Sequence, residues 1–539
     1  MAFQRRNSTY GPSVRSVGPS NPLPTEGGPV RSAVGVGDLH EPGRVDGLVR
    51  RTPSPPPGRR QGARDLVRRH WLLATFLAAG LVLRVLAQLA YRPALFYIDS
   101  VKYLYNSDGN DPEGYKLPLR GILMVGNFNA VVAVQHLLGL GIAVLLYALL
   151  LRRGVPRWLA ALAAAAILLD AYQLQSEQTI MPGPWFEALI VAGVAVLLWQ
   201  PTISWRRVIA GGLVLGTSAT VAQVGEALVP AAALFVLAAA GDWRRAIGKA
   251  AALCAACAVP ILAYSAGSYV ATGSFFLSHS GVTSFYGRTA AAADCATLRL
   301  PQSEQALCPT KAQQARGNDW LEFGTYAPVQ ASYYNNHDLS RGEVNSLVTN
   351  FSRSVVVQQP LRVLAAYGRD VLKLYAVDRV TAPGDPPIGR WQFQASFPYF
   401  SSHATPAIVD AATERFGGGT PAVWRPVAAF LRSYQLDGGY APGPALVLCT
   451  VAGLVGSALV LRRRMPGPTR QLALACLLFF GAGVSLTLFS DLFVFSWRYQ
   501  LPALVTLVPA GALGISAFFS SIRTWRSIDS SRSPDRGQS

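Results

Sequence analysis

The chain has 539 residues, of which 51% are hydrophobic and only 14% charged, against roughly 25% charged in an ordinary soluble domain. A mean hydropathy of +0.27, with the apolar residues gathered into long blocks, excludes a soluble globular enzyme and, for most of the chain, disorder. The net charge is +19, from 48 Lys+Arg and 29 Asp+Glu, and only five of the basic residues are Lys. That Arg bias, beside abundant Ala, Gly and Val, fits a GC-rich genome, and the placement of the charges argues against nucleic acid.

Residues 1–66 are rich in Pro, Gly, Ser and Arg, have no apolar period, and read as a disordered basic cytoplasmic tail. Twelve Arg and five acids within residues 1–70 give it a net charge of +7. It is too long for a secretory signal and has no early apolar core. Anionic lipid headgroups are the alternative role for its charge.

Ten apolar runs follow: Trp71–Tyr91, Val131–Leu151, Pro156–Tyr172, Pro184–Trp199, Val208–Ala222, Ala227–Ala240, Ile247–Val270, Pro442–Leu461, Gln471–Phe489 and Leu501–Phe519. A bilayer core needs about 20 apolar residues per helix. The predicted fold is therefore an all-α polytopic membrane protein of about 10–11 transmembrane helices. The fifth and sixth runs share the turn Gln223-Val224-Gly225-Glu226, so one of them could be re-entrant.

Basic clusters at Arg68/Arg69, Arg152/Arg153/Arg157, Arg206/Arg207, Arg244/Arg245/Lys249, Arg462/Arg463/Arg464/Arg470 and Arg523/Arg526 are separated by two runs each. All then fall on one face, which the positive-inside rule makes cytoplasmic. The chain divides into the tail 1–66, an N-terminal transmembrane module 67–271, an extracytoplasmic loop domain of mixed structure 272–440, a C-terminal transmembrane module 441–520 and a disordered cytoplasmic tail 521–539. The loop domain carries 14 basic and 12 acidic residues, nearly neutral, so the excess positive charge is topological.

Six cysteines cannot staple a chain this long. Cys295 and Cys308 both lie in the external loop, where oxidising conditions favour a disulfide between them. Cys254, Cys257, Cys449 and Cys476 lie inside apolar runs as packing residues.

No phosphate-binding loop, dinucleotide fingerprint, zinc signature or nucleophile elbow is present. The remaining chemistry is a set of acids just outside the membrane. Asp99, in Tyr97-Ile98-Asp99-Ser100-Val101-Lys102-Tyr103-Leu104, is either a solvated loop acid or a general base held at the water–lipid boundary. Glu177, in the turn after the third run, is either a plain loop acid or a partner of Asp99 over one membrane opening. The pair could share base and orienting roles or hold a divalent cation, Mg²⁺ or Mn²⁺. In the loop Asp108 to Leu119, Lys116 and Arg120 are candidates to meet a phosphate.

These pieces, in this order, resemble the GT-C superfamily of membrane glycosyltransferases. More narrowly, they resemble its phospholipid-carrier-dependent branch, which includes protein O-mannosyltransferases and lipid A aminoarabinose transferases. The resemblance runs from about residue 71 to 520. It rests on Asp99-Ser100 with Tyr103 after the first run, Pro112 to Tyr115, Gln135-His136-Leu137-Leu138-Gly139, Leu169-Asp170-Ala171-Tyr172-Gln173 followed by Glu177, Phe285-Tyr286-Gly287-Arg288 with Asp294-Cys295, and Trp497-Arg498-Tyr499-Gln500-Leu501-Pro502. It departs where Pro182-Gly183 replaces a small residue and an acid, and where Ala222-Gln223 replaces an Arg.

The resemblance implies transfer of a sugar from a polyprenyl-phosphate donor to an extracytoplasmic glycan, lipid or protein acceptor, by one inverting displacement at the bacterial plasma membrane. It assigns Asp99 and Glu177 to catalysis on the acceptor side. Lys116, Arg288 and Arg498 hold the donor phosphate, and Tyr103 and Tyr115 sit at the acceptor and interface side. Two other classes stay open: a lipid-linked-sugar flippase or transporter, expected to carry charged or broken helices at mid-membrane and an internal repeat, which the sequence does not show, and a non-catalytic cell-envelope assembly protein.

The charge pattern places both termini inside and residues 272–440 outside. A cysteine introduced near Asn318 should react with an impermeant thiol reagent on intact cells; reaction only after permeabilisation would reverse the orientation.

Overall fold

The computed structural model describes residues 65, 67–105, 112–335, 338–400, 403–462 and 467–531, with side chains as far as Arg523. The basic tail (apart from Asp65), the turn residues 108–111, Arg463, Arg464, the Arg526 side chain and residues 532–539 lie outside the described set.

Unbroken Ala- and Leu-rich sequence with no internal Pro makes α1, Trp71–Ala90, a helix of 20 residues. A short interfacial pair follows, α2 (Ser100–Leu104) and α3 (Lys116–Val125). Asn127 then caps α4, Phe128–Arg152, by accepting from the N–H groups of Asn129 and Ala130. The third apolar run is not one helix: α5 (Arg157–Leu169) stops and α6 (Ala171–Gln178) restarts at 49° to it. The break is at Asp170, whose carboxylate accepts from Tyr172 N and Gln173 N and so caps the new helix.

The next elements are α7 (Gly183–Leu198), α8 (Trp205–Val221), α9 (Leu228–Ala239) and α10 (Trp243–Thr272). The bundle closes with α16 (Gly443–Ala458), α17 (Gly467–Phe493) and α18 (Pro502–Ser531), which follow the helices of residues 272–440 described below. Neighbours pack in sequence, α4 on α5 and α7, α7 on α8, α8 on α10, and α9 bridges to α17. From the far end of the chain α18 reaches back to α5, so the two transmembrane modules share one core.

Among the described residues six helices are long and apolar enough to cross a membrane, seven if the bent α5–α6 pair is one span, where ten to eleven spans were expected. The runs at Pro184–Trp199, Val208–Ala222 and Ala227–Ala240 form helices of 16, 17 and 12 residues. At 1.5 Å per residue even the longest of these reaches only ~25 Å, short of a core of ~30 Å. The polar Gln223–Ala227 segment forms a 3₁₀ turn that divides the last two. At the C-terminus α18 continues to Ser531, into the segment expected to be a tail.

The regular structure within residues 272–440 is helical, joined by long irregular stretches; the paired strands among the described residues are β1 (Tyr91–Arg92) and β2 (Ala422–Val423), antiparallel and two residues each. It has two parts. Helices α11 (Ser280–Ala292), α12 (Arg341–Gln358) and α13 (Pro360–Lys373) enclose a core of their own around Tyr286, Leu307, Leu321, Val344 and Phe351. Cys295 and Cys308 are bonded to each other beside it, with Cα atoms 5.9 Å apart. The second part, with α14 (Pro406–Phe416) and α15 (Arg425–Leu436), roofs the bundle: Phe393, Ala428 and Leu431 pack on Leu83, Ala87 and Leu95.

Helices α16 and α18 cross on glycine. A Cβ at Gly514 would stand 2.0 Å from the Ala452 carbonyl oxygen, and one at Gly456 would stand 2.4 Å from the Gly514 Cα. Backbone contact of this kind is a main source of helix association where lipid removes the hydrophobic drive. Gly514→Val should therefore destabilise the protein by roughly 1–3 kcal/mol, read as a lower melting temperature in detergent. An unchanged melting temperature would mean that α16 and α18 do not cross this closely.

Candidate functional site

After β1 the chain runs extended towards α2, and backbone hydrogen bonds lace it to the end of α6. Leu95 N donates to Gln178 O at 2.9 Å, and Ile180 N donates to Leu95 O at 3.0 Å. The Ser100 hydroxyl donates to Ile180 O at 2.9 Å and accepts from Tyr97 N at 2.8 Å. Asp99, at the start of α2, is thus carried on a segment fixed on both sides.

The Asp99 carboxylate faces two cations, Lys102 at 3.2 Å and Arg498 at 3.1 Å. Arg498 comes from the turn before α18, 399 positions away. Its guanidinium lies over the rings of Trp391 (4.9 Å), Tyr499 (4.7 Å) and Tyr97 (5.4 Å) and donates to the Tyr499 hydroxyl at 2.7 Å. Tyr97 and Trp391 meet at 4.3 Å between centroids. Arg390 donates to the Tyr97 hydroxyl (3.3 Å) and to Asp319 (3.2 Å). Three cations and two carboxylates thus surround an aromatic-walled site, and the buried Trp391 indole N–H has no partner.

Burial pushes the Asp99 carboxyl up, but Lys102 and Arg498 outweigh it and hold it down at about 2. The Tyr97 hydroxyl moves the other way: burial raises it to about 12, so it stays protonated at neutral pH.

The structure does not bring the Glu177 side chain to Asp99. Glu177 lies fully buried in α6 with both oxygens on Arg84 of α1, at 2.8 Å each, and a further contact at 3.0 Å to His136 of α4. The two acids are joined only through backbone. Among the described residues no group of three or more His, Cys, Asp or Glu is placed to hold a metal ion. Because Asp99 and Glu177 face different ways and each faces cations, they do not fit a shared Mg²⁺ or Mn²⁺, and no step is derived through one.

Of the three residues that the resemblance assigns to the donor phosphate, only Arg498 is at Asp99. Lys116 is buried in an ion pair with Glu113 at 2.5 Å. Arg288, in α11, is buried, with Asp370 of α13 at 2.5 Å and Asp491 O of α17 at 2.8 Å. Tyr103 and Tyr115 are buried edge to face at 5.2 Å, and the Tyr115 hydroxyl donates to Gln135 at 2.8 Å. Tyr103 of α2 thus packs on Tyr115, which is tied to α4.

Beside α2 lies a groove of about 510 Å³ with walls from Leu104, Tyr105, Leu123 and Met124 and with Arg120 and Arg415 at its rim. Leu117, Met124 and Val125 of α3 are 81–91% exposed, the face expected of an interfacial helix. Arg390, Trp391 and Arg415 were not anticipated from sequence, since no local pattern marks them. Arg84 was open to detection, as a lone charge at the middle of an apolar run.

No family model and no curated protein matches the chain. Among solved structures it is similar to the S. cerevisiae protein O-mannosyltransferase Pmt1–Pmt2 complex bound to the sugar donor, at 18% identity and a TM-score of 0.30, over 41% of this chain and 36% of that one. It is also similar to the Archaeoglobus fulgidus oligosaccharyltransferase AglB in complex with an inhibitory peptide and a dolichol-phosphate, at 14% identity and a TM-score of 0.39, over 88% of this chain and 53% of that one. A second A. fulgidus oligosaccharyltransferase structure, tethered to an acceptor peptide, matches at 13% identity and a TM-score of 0.39, over 86% of this chain and 51% of that one. The chain thus spans about half, or less, of the length of these proteins.

With its folded value below the ordinary 3.8, the Asp99 carboxylate adds stability that is complete above about pH 4 and lost as the pH falls through about 2. Arg498→Gln removes one of the two opposing cations and leaves the burial. The Asp99 titration, followed by carboxyl ¹³C NMR, should then move up by about one to two pH units. An unmoved midpoint would show that Arg498 does not face Asp99.

Proposed function

We propose that this protein is a GT-C-type membrane glycosyltransferase that moves a sugar from a polyprenyl phosphate to an extracytoplasmic acceptor hydroxyl. The observation that carries this reading is the Asp99–Arg498 pair, a carboxylate and a guanidinium held together in an aromatic-walled site at the start of α2, whose other end lines an apolar groove. The groove suits a lipid chain and the rings suit a sugar face. Arg498, Lys102 and the unpartnered Trp391 N–H offer donors to a phosphate.

At rest Asp99 is too acidic to serve as a base at neutral pH. A donor phosphate that engages Arg498 draws the guanidinium from Asp99, and burial then raises the carboxyl towards a useful range. Asp99 takes the proton of the acceptor hydroxyl as that oxygen bonds to the anomeric carbon. The bond from the anomeric carbon to the phosphate oxygen breaks on the opposite face, and polyprenyl phosphate leaves with the electron pair. Arg498 stabilises its charge, and the configuration inverts. The proton on Asp99 passes to solvent.

A second reading, a carrier for lipid-linked sugars, draws on the bent α5–α6 pair and on the charges buried among the helices, Arg84, Glu177 and Glu187. A carrier moves the donor without breaking it.

Membranes carrying the protein, given labelled polyprenyl-phosphate sugars, should release polyprenyl phosphate and label an acceptor. Asp99→Asn should lower that turnover by about 10²–10⁴-fold, with protein abundance nearly unchanged and lipid-donor binding no weaker. Full turnover at normal abundance would remove Asp99 from catalysis, and translocation of intact donor without cleavage would favour the carrier.

A further inference from the structure

A cluster of buried polar side chains that the proposed reaction does not use lies where α1, α4 and α6 meet. Arg84 donates from Nε and Nη2 to the two Glu177 oxygens, and His136 lies between Glu177 and Gln178. Arg84, His136, Glu177 and Gln178 are each at least 96% buried. A Cβ at Gly139 of α4 would stand 2.1 Å from Glu177 Oε1, so only glycine lets α4 pass this pair.

The hydrogen bonds fix the state of the His136 ring. The Gln178 amide nitrogen donates to the Tyr91 carbonyl at 2.8 Å; turned over, the amide would set oxygen against oxygen. Its oxygen therefore faces His136 Nε2, at 2.9 Å, and an amide oxygen can only accept. On the other side His136 Nδ1 meets Glu177 Oε2 at 3.0 Å. That carboxylate already receives two N–H bonds from one guanidinium, the arrangement of an ionised group. Both ring nitrogens must then carry hydrogen.

Gln173 Nε2 links Glu177 to Glu187 of α7, at 3.3 Å and 2.7 Å.

From here a continuous set of bonds leads to Asp99. Gln135, next to His136, donates to the carbonyls of Glu177 and Thr179, each at 2.8 Å. Gln178 and Ile180 hold Leu95, and Ile180 holds Ser100. We infer that His136 is held as an imidazolium and that, with Glu177 and Arg84, it is a positioning group for Asp99, a role that rests on the glycosyltransferase reading.

Histidine-selective ¹⁵N NMR of the full chain in lipid nanodiscs tests the charge without any variant. The buried, slowly exchanging ring should show N–H signals at both nitrogens at neutral pH. A single N–H, the mark of a neutral tautomer, would overturn the assignment. Steady-state kinetics test the role. His136→Gln keeps a donor but loses the charge and the second bond. It should lower kcat by about 10–10²-fold, leave KM for the lipid donor unchanged, and cause no further loss when added to Asp99→Asn. Equal losses in both backgrounds would make His136 a residue of general stability only. Normal turnover in Asp99→Asn alone would defeat the catalytic reading and with it the positioning role, while the NMR result would still decide the ring's charge.

Discussion

The rest of the structure hangs on one buried ion pair. Arg84 sits at the middle of an apolar helix, where an unpaired guanidinium would be expensive, and Glu177 is the partner that makes it tolerable. The pair is bidentate, and each member is almost fully buried. Arg84 does more than neutralise. Its Nη1 also donates to Leu168 O at 2.9 Å and to Gly80 O at 3.1 Å, and Nη2 lies 3.4 Å from Ile167 O. Leu168 and Ile167 are at the C-terminal end of α5, whose last carbonyls would otherwise be orphaned in the bundle. A single guanidinium therefore satisfies the broken end of one helix and binds the acid on the next.

The break has a purpose elsewhere in the fold. Because α5 ends there, α6 can turn and present residues 178–180 as an edge to the extended segment that leads to Asp99. Asp170, at the corner, also faces Arg379 at 3.3 Å and accepts from Ala441 N at 2.9 Å. Arg379 in turn is ringed by Tyr172, Tyr440 and Trp497, at 4.5, 4.7 and 5.5 Å. Trp497 donates its indole N–H to Val380 O at 3.1 Å, and the next residue is Arg498. The two halves of the Asp99–Arg498 pair are thus fixed from the same corner, one through α6 and the other through the Arg379 cage.

Asp99 and Arg498 were legible because each stands in a short polar stretch at the end of an apolar run, where composition changes sharply. The helical membrane character was legible for the same reason. The span count was not: hydropathy reports a run of apolar residues, and it does not report that Asp170 or Gln223–Ala227 divides the backbone. Glu177 illustrates a different limit. Its flanking Gln, Ser and Thr residues read as a solvated turn, yet Gln173, Gln175, Ser176, Gln178 and Thr179 are all buried and most bond one another's backbone or side chains. Only the partner, Arg84, 93 positions earlier, explains why so polar a segment can enter the bundle. Pairing at that distance leaves no local pattern, and the same holds for Trp391 and Arg390, which reach the site from the segment between the two helical modules.

The balance at Asp99 follows from where these elements stop. Burial alone would favour the neutral acid, and two cations alone would favour the carboxylate by a wide margin; the observed excess of cations over acids leaves the ionised form ahead. Such a balance is sensitive to a third charge. An anion that engages Arg498 and Lys102 competes with Asp99 for the same donors, loosens their hold on the carboxyl and leaves it buried. Under the proposed reaction the arrival of the donor phosphate is therefore also what makes the base basic. A site with Asp99 free of cations would accept a proton from water at any time, whereas this one gains that capacity only when the group to be displaced is already bound.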